Sequence, residues 1–124
     1  MAKLPAISGA QWEVMNIIWA ESPITAATVI QRLAESTGWN PRTIKTLINR
    51  LLKKGVITFE ARGKEYLYRP LIRREQCVKS ESRWFLDRVF GGAAGPMLVH
   101  FVNQANLTEA EIQELKQILS RKGK

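Results

Sequence analysis

The fold is decided by the stretch Pro41-Arg42-Thr43-Ile44-Lys45-Thr46-Leu47-Ile48-Asn49-Arg50-Leu51-Leu52-Lys53-Lys54. Apolar residues recur in it with the i, i+3, i+4, i+7 spacing that places side chains on one side of an α-helix; they are Ile44, Leu47, Ile48 and Leu51. The opposite side carries Arg42, Lys45, Thr46, Asn49 and Lys53. The stretch holds five Lys and Arg residues and no acid. The sequence therefore predicts a helix with one side in a core and one cationic side in solvent.

The ends of this helix are marked by residues that favour helix termini. Asn40 is a favourable N-cap, and Pro41 fits the first helical position because the N–H that proline lacks has no partner there. Gly55 follows Lys54, and glycine adopts the positive φ of a helix C-terminus without steric cost. These signals predict a helix over residues 41–54.

Two further helices are predicted upstream. Ser8 and Gln11 have the spacing of a capping box, and Ser22-Pro23 ends the first helix. Thr25 can cap the second helix, and Gly38 ends it. Both helices carry an apolar side at helical spacing, which is Trp12, Met15 and Trp19 on the first and Ala26, Val29, Ile30 and Leu33 on the second.

Two strand-like runs follow the cationic helix. Residues 56–61 and 65–69 are rich in β-branched and aromatic side chains, and the turn Arg62-Gly63-Lys64 lies between them. The alternation does not decide which face of this hairpin packs inward, since Tyr66 and Tyr68 lie opposite Leu67. Three helices followed by a hairpin is the element order of a winged helix-turn-helix.

The cationic helix and the basic hairpin turn predict binding to double-stranded DNA. The major groove admits a helix whose Arg, Lys, Asn and Thr side chains reach base edges and phosphates, and the hairpin turn can touch the adjacent backbone. The candidate DNA-binding residues are Arg42, Thr43, Lys45, Thr46, Asn49, Arg50, Lys53, Arg62 and Lys64. The alternative is an ordinary solvated helix face, which the clean separation of the two sides disfavours.

The overall charge agrees with a polyanionic partner. The 124 residues include 19 Lys and Arg against 11 Asp and Glu, a formal net charge of +8 with an isoelectric point near 10.1. Nucleic acid is the leading partner for so basic a small protein, and an anionic membrane surface is the rival. No apolar run approaches the roughly 18 residues of a transmembrane helix, so we expect no stable membrane association.

Cysteine and histidine usage argues against cofactor chemistry. Cys77 is the only cysteine, which excludes an intramolecular disulfide and a cysteine cluster for zinc or copper. His100 is the only histidine and lies in an apolar stretch, and the sequence has neither a glycine-rich phosphate loop nor metal-ligand spacing. Residues 1–6 lack the apolar core of a secretory signal. We therefore expect a cytoplasmic protein that is not an enzyme and has no metal or cofactor.

The C-terminal third carries more apolar surface than a short chain can bury alone. From about Arg73 the pattern is helical again; Gly91–Pro96 predicts a break, a short helix follows over residues 97–105, and Thr108 with Glu111 opens a last helix. Two copies packed isologously would cover the apolar residues, so we predict a homodimer. The candidate dimerisation residues are Trp84, Phe85, Val89, Leu98, Phe101, Val102, Ile112, Leu115 and Leu119.

These patterns together define the expected architecture. We predict a mainly α fold with a small β-hairpin. Residues 1–72 form a winged-helix DNA-binding domain, and residues 73–124 form a helical dimerisation region.

The chain resembles the penicillinase repressors of the BlaI/MecI type. The resemblance is carried by residues 12–19 (WEVMNIIW) and 42–51 (RTIKTLINRL), by Gly91-Gly92, and by residues 111–115 (EIQEL). It implies a winged-helix dimer that binds a dyad-symmetric operator and represses β-lactamase or related resistance genes. It also implies release by proteolysis, in which a membrane sensor protease activated by β-lactam leads to a cut in the C-terminal region.

The bond that matches the family's cleavage position is His100–Phe101, where this chain has histidine in place of the family's asparagine. Copper-responsive relatives add a cysteine pair near the C-terminus, which this sequence lacks, so we expect no copper switch. Two alternatives stay open. One is a winged-helix repressor released by a small-molecule ligand, through a pocket near the dimer helices, and the other is a winged helix that binds protein or RNA rather than DNA.

Overall fold

Helices dominate the fold, and the small sheet combines a hairpin between the third and fourth helices with a two-residue strand between the first and second. The computed structural model describes residues 5–123, so most of the N-terminal stretch considered for a secretory signal lies outside the described residues. The helices in the described range are α1 (Gly9–Glu21), α2 (Ala26–Thr37), α3 (Pro41–Lys54), α4 (Arg74–Phe90), α5 (Ala94–Gln104) and α6 (Glu109–Lys122). The strands are β1 (Ile24–Thr25), β2 (Ile57–Arg62) and β3 (Glu65–Pro70). The prediction of a mainly α fold with a small β-hairpin is confirmed.

The helix ends follow the capping signals in the sequence. Ser8 Oγ accepts from the backbone N–H of Gln11 at 3.1 Å, while Gln11 Oε1 accepts from the N–H of Ser8 at 3.0 Å. Asn40 Oδ1 accepts from the N–H of Arg42 at 2.8 Å, and Gly55 ends α3 with φ of 77°. The predicted bounds of α3 are confirmed. The first backbone N–H groups of a helix have no partner within it, and side-chain oxygen atoms accept from them at these positions.

The apolar side of α3 forms the centre of the core. Ile44, Ile48 and Leu51 are almost completely buried, and Leu47 is nearly so. They pack with apolar residues of α1, α2 and the sheet, including Val14, Met15, Ile18, Val29, Leu33, Val56 and Ile57. Each such side chain contributes about 1.5–3 kcal/mol on burial. The rotation of α3 about its axis is therefore fixed, and its polar side faces solvent.

The sheet contains a strand that the sequence did not indicate. The strand order is β1-β3-β2, all antiparallel, and Ile24 of β1 pairs with Tyr68. β1 has two residues, which is too short for a recognisable alternation. Tyr68 is buried in the core while Tyr66 is half exposed, and this settles which part of β3 packs inward.

The turn of the hairpin is tighter than predicted. Arg62 pairs with Glu65, so the predicted three-residue turn is corrected to the two residues Gly63 and Lys64. Gly63 has φ of 62°, a conformation that glycine adopts without strain. The pairing extends because β2 runs on through Arg62. We call the β2–β3 hairpin the wing.

The chain packs as two compact units, one extending to Glu81 and the other beginning at Ser82. The division falls inside α4, beyond the boundary at 72/73 expected from the sequence. The first part of α4 belongs to the first unit, since Cys77 is buried there and Trp19 Nε1 donates to the carbonyl of Ile72 at 2.9 Å. The assignment of DNA binding and dimerisation to separate regions stays a prediction.

The second unit begins in the last turns of α4 and contains α5 and α6. The predicted break over Gly91–Pro96 is shorter than expected, because α5 already begins at Ala94. Pro96 lies in the first turn of α5, where its missing N–H costs no helical hydrogen bond. The capping box of Thr108 and Glu111 is confirmed at the start of α6. Over residues 5–123, no helix combines the length and apolar character needed to cross a membrane.

Candidate nucleic-acid interface

The outward side of α3 presents the side chains that the sequence singled out. All of them are exposed, whereas the apolar residues on the other side of the helix are buried. The exposed residues are Arg42, Thr43, Lys45, Thr46, Asn49, Arg50 and Lys53. The wing adds Arg62 and Lys64, which are exposed as well. The side chains of α3 are exposed because the apolar side of this helix packs into the core, so its polar side faces solvent.

These cations are not neutralised by nearby acids. The ion pairs within residues 5–123 join Arg32 to Glu21, Arg69 to Glu60 and Arg83 to Asp87. None of them uses a candidate cation from α3 or from the wing turn. The positive charge of this surface therefore remains available to an anionic partner.

Lys54 differs from its neighbour Lys53, although both end the same basic stretch. Lys54 Nζ donates to Gln11 Oε1 at 2.6 Å and to the carbonyl of Ala6 at 2.7 Å. Lys54 follows Leu47 by seven residues and Leu51 by three, so helical spacing places it near the core side. It ties the end of α3 to the start of α1 and does not belong to the outward cationic surface.

Thr46 uses its hydroxyl proton inside its own helix. Thr46 Oγ1 donates to the carbonyl of Arg42 at 3.0 Å, the i−4 bond common for threonine in helices. The hydroxyl oxygen keeps acceptor capacity. Thr46 therefore offers a partner a methyl group and an acceptor. A thymine methyl or a cytosine amino group suits this better than a group that needs a donor.

A groove separates α3 from the wing. It encloses about 620 Å³, and α3 contributes Lys45 and Asn49 while the wing contributes Lys64. The remaining lining residues come from the start of α2, from α3 and from the wing; they are Thr25, Ala26, Ala27, Ile30, Pro41, Ile48, Glu65, Tyr66 and Tyr68. The structure thus brings three of the predicted residues together around one concave surface. The other predicted residues lie on the exposed surface outside the lining of the groove.

Sequence reasoning missed that Tyr66 and Tyr68 line the groove. Both rings lie close to Phe59, whose centroid is 4.3 Å from that of Tyr66 and 5.9 Å from that of Tyr68, although Phe59 itself is not part of the lining. Burial raises the pKa of Tyr68. Tyr66 is 51% exposed, so its ring and hydroxyl are accessible beside Lys64. The pairing of β1 with β3 is what sets Tyr68 inward, and this pairing was not evident from the sequence.

The arrangement suits a long, grooved polyanion. A helix with a cationic side can enter the major groove, while basic residues on a hairpin at its flank reach the neighbouring phosphates. Among the described residues, no three His, Cys, Asp or Glu side chains are grouped so that they could hold a metal ion.

The second unit presents the apolar side chains considered for dimerisation. In the single chain, the accessible ones are Trp84, Val89, Leu98, Phe101, Val102 and Leu119, whereas Phe85, Ile112 and Leu115 are half-buried. Arg88 lies over the ring of Trp84 at 4.0 Å. Exposed apolar side chains in this number on a small unit make it a candidate surface for association.

The His100–Phe101 bond lies inside α5. Both residues are exposed, and the ring of Phe101 lies 5.9 Å from Phe85 and 6.4 Å from Phe90. The aromatic residues therefore join α4 and α5 within the second unit. The peptide bond is helical, so a protease would need the helix to open first.

Comparison with known proteins gives consistent matches over nearly the whole chain. The model of a family described as "Penicillinase repressor" matches residues 7–121. The chain is similar to the penicillinase repressor of Bacillus licheniformis, with 38% identity over 119 residues that cover 96% of this chain and 93% of that protein. It is 37% identical over 116 residues to the methicillin resistance regulatory protein MecI of Staphylococcus aureus strain N315, covering 94% of each.

Two solved structures resemble part of the chain. One is a solution structure of the DNA-binding domain of the repressor BlaI, with a TM-score of 0.55 and 39% identity. The other is a solution structure of the monomeric form of Bacillus licheniformis BlaI in complex with the blaP half-operator, with a TM-score of 0.54 and 39% identity. Each match covers 61% of this chain and 93% of the other.

Replacing Lys54 by methionine should destabilise the protein, whereas the same change at Lys53 should not. Lys54→Met removes two hydrogen bonds from a half-buried amine, and we expect a loss of about 1–3 kcal/mol in the free energy of unfolding. Lys53 is exposed, and Lys53→Met should stay within about 0.5 kcal/mol of the wild type. Urea denaturation followed by circular dichroism measures both; equal stabilities would contradict the assigned role of Lys54.

Proposed function

Because this chain belongs to the penicillinase repressor family, we propose that it is a homodimeric transcriptional repressor that binds a dyad-symmetric operator. The family is one of repressors and not of enzymes. The observation that carries the proposal is the outward side of α3, whose cations form no ion pair within residues 5–123 and one of which, Lys45, lines the groove beside the wing.

In the proposed complex, α3 lies in the major groove and supplies the base contacts. Lys45 and Asn49 are the candidates for base edges, since lysine pairs with guanine and asparagine with adenine. Arg62 and Lys64 at the tip of the wing contact the adjacent phosphates, which position the protein without reading sequence. Support comes from the solved complex of Bacillus licheniformis BlaI with a half-operator, which this chain resembles at 39% identity.

The proposed targets are β-lactamase or related resistance genes. The support is the description of the relatives as a penicillinase repressor and as a methicillin resistance regulatory protein. A repressor acts where the chromosome is, so we propose that the protein works in the cytoplasm.

Dimerisation is proposed to occur through the second unit. The exposed apolar side chains of α4, α5 and α6 would be covered by an isologous partner. A two-fold dimer presents its two copies of α3 about 34–36 Å apart, which is one turn of DNA. The second half-site is then bound at a high effective concentration, which raises affinity without new contacts.

Release is proposed to follow proteolysis at His100–Phe101 by a membrane sensor protease. A cut there separates α6 and the end of α5 from the rest of the chain, and with them Val102, Ile112 and Leu115. The dimer would lose much of its apolar surface, and the monomer would keep only half-site affinity. Repression would end without any change in α3.

A second candidate function is release by a small-molecule ligand. The observation that favours it is the groove between α3 and the wing, whose volume of about 620 Å³ lies within the range of small-molecule sites. A ligand there would occupy the surface that is proposed to bind DNA.

Operator binding should depend on Lys45. We expect Lys45→Ala to weaken binding by about 1–3 kcal/mol if the lysine contacts a base, and Lys53→Ala to reduce the salt dependence by about one ion at a phosphate. Fluorescence anisotropy with DNA from upstream of the protein's own gene, over a salt series, measures both effects.

The matched control for Lys45→Ala is Lys116→Ala, an exposed lysine of α6 that is distant in sequence from both α3 and the wing. It should bind like the wild type. Wild-type affinity in the Lys45 and Lys53 variants at matched salt would contradict the DNA-contact assignment. Failure of the wild type to bind any duplex would favour a protein or RNA partner.

A charge placed in the apolar surface of α5 should prevent dimerisation. Val102 is 48% exposed in the single chain, so Val102→Asp should leave the chain folded but monomeric. The control is Asn103→Asp on the same helix, which adds the same charge at a polar, exposed position. Sedimentation at micromolar concentration distinguishes them. A wild type that sediments as a monomer would overturn the proposed dimer.

Cleavage should produce a fragment of residues 1–100. The repressor is co-expressed with its sensor, β-lactam is added, and intact mass spectrometry identifies the products. Phe101→Ala should resist cutting, because the side chain that follows the scissile bond is truncated, while the change perturbs the dimer only modestly. Induction with an intact chain would reject proteolysis and favour the ligand-driven alternative.

A further inference from the structure

The groove between α3 and the wing has basic side chains from both of these elements. Lys45 and Asn49 of α3 line it, and so does Lys64 at the tip of the wing. All three are exposed, and neither lysine takes part in an ion pair within residues 5–123. Glu65 is the one carboxylate among the described residues that line the groove, so the lining has a net positive charge. The groove therefore favours an anionic occupant that both elements can reach.

The course of α2 identifies that occupant as a DNA backbone strand. In helix-turn-helix complexes, the helix that precedes the one in the major groove crosses the DNA backbone. In this chain that helix is α2, and its start contributes Ala26 and Ile30 to the same groove. With α3 in the major groove, the space between α3 and the wing thus faces the sugar–phosphate strand at the border of the major groove. The apolar residues of the lining suit the carbon atoms of the sugars, and the lysines suit the phosphate oxygens.

Tyr66 adds an exposed neutral donor to this cationic groove. Its side chain is 51% exposed, whereas Tyr68, two residues further along the same face of β3, is 7% exposed. A phenol hydroxyl can donate a hydrogen bond, and phosphate oxygens accept from tyrosine as well as from lysine and arginine. Tyr66 can therefore contact a phosphate in the groove without contributing a charge.

Phe59 restricts the positions that the ring of Tyr66 can take. The two ring centroids lie 4.3 Å apart, with the ring planes inclined by 35°. The register pairs Phe59 with Tyr68 and Ala61 with Tyr66, so Phe59 and Tyr66 are diagonal neighbours on one face of the wing. Phe59 is not part of the groove lining. It therefore touches the ring of Tyr66 outside the groove, and a ring that is already held loses less freedom when a partner binds.

We infer that the groove between α3 and the wing holds one sugar–phosphate strand of the operator, and that the hydroxyl of Tyr66 donates a hydrogen bond to a phosphate of that strand. Phe59 is a positioning residue that acts through the ring of Tyr66. The inference rests on the proposed function, since it requires DNA, but it involves the first unit alone. Because the contact is neutral, it adds affinity without releasing a counterion.

The experiment separates this neutral contact from the ionic contacts by their dependence on salt. Full-length wild type, Tyr66→Phe and Lys64→Ala are titrated with a half-site duplex from upstream of the protein's own gene, over a series of salt concentrations. Tyr66→Phe should bind about three- to tenfold more weakly at every salt concentration, the range for one hydrogen bond. Its salt slope should equal that of the wild type, whereas Lys64→Ala should lower the slope by about one ion.

The matched control is Thr58→Val, which also removes one hydroxyl from the wing. Thr58 precedes Phe59 in β2, so its side chain points to the opposite face of the hairpin. Thr58→Val should therefore bind the half-site duplex like the wild type. Thermal unfolding followed by circular dichroism verifies that each variant is folded.

A double-mutant cycle tests the role of Phe59. Phe59→Ala should weaken binding, because the ring of Tyr66 is then free to leave its position. The double variant Phe59→Ala/Tyr66→Phe should bind as Tyr66→Phe does, because Phe59 acts only through the lost hydroxyl. Additive losses would overturn the positioning role, since Phe59 would then support the wing independently of Tyr66.

Duplexes with a neutral methylphosphonate in place of one phosphate at a time locate the acceptor. At one position the loss of affinity should be smaller for Tyr66→Phe than for the wild type. Equal losses at every position would assign the hydroxyl to a base and overturn the inference. A Tyr66→Phe variant that binds as tightly as the wild type would also overturn it, and would leave the groove to the small-molecule alternative. A wild type that binds no duplex would instead overturn the proposed function itself.

Discussion

Burial of the apolar side of α3 is the constraint on which the rest of the structure depends. Ile44, Ile48 and Leu51 are inaccessible to solvent or nearly so, and they meet side chains from α1, α2 and the sheet. Any rotation of α3 that moved its cations inward would expose these residues, at about 1.5–3 kcal/mol each, and would bury unpaired charge. The same packing that stabilises the fold therefore also presents the surface that is proposed to face DNA, and no separate interaction is needed to hold the cationic side outward.

Local sequence signals predicted the helices because capping and helical periodicity are local interactions. Ser8 with Gln11, Asn40 and Thr108 act within three residues along the chain, and the structure confirms each of them. The pairing of β1 with β3 and the division of the chain inside α4 depend on contacts between distant residues. Nothing in a two-residue strand or in an uninterrupted helix marks such contacts, so sequence reasoning placed the boundary at the end of the hairpin.

The residues of the candidate site also fall into those that local sequence patterns predicted and those that depend on distant contacts. The exposure of Lys45, Asn49 and Lys53 followed from helical spacing, which is a property of α3 alone. The hydrogen bonds of Lys54 could not be predicted without the position of α1. Its spacing from Leu47 nevertheless indicated that Lys54 lies near the core side of α3. Tyr66 lines the groove because the wing lies against α2 and α3, which its own strand does not reveal. A residue that lies on one element can be assigned from a pattern, whereas a residue that closes a groove requires the tertiary arrangement.

The two units differ in how completely a single chain buries their apolar side chains. In the first unit the apolar residues of three helices and the sheet form a closed core, and its exposed surface is cationic. In the second unit the aromatic contacts of Phe85, Phe90 and Phe101 join α4 to α5, yet Leu98 and Val102 remain about half exposed. In the proposed function, a single first unit binds a half-site, since charge and shape call for only one copy of α3. If a second copy covers the apolar side chains of the second unit, as proposed, that copy brings a second α3. Strong binding to a two-fold operator would then be a consequence of where the chain leaves its apolar side chains uncovered.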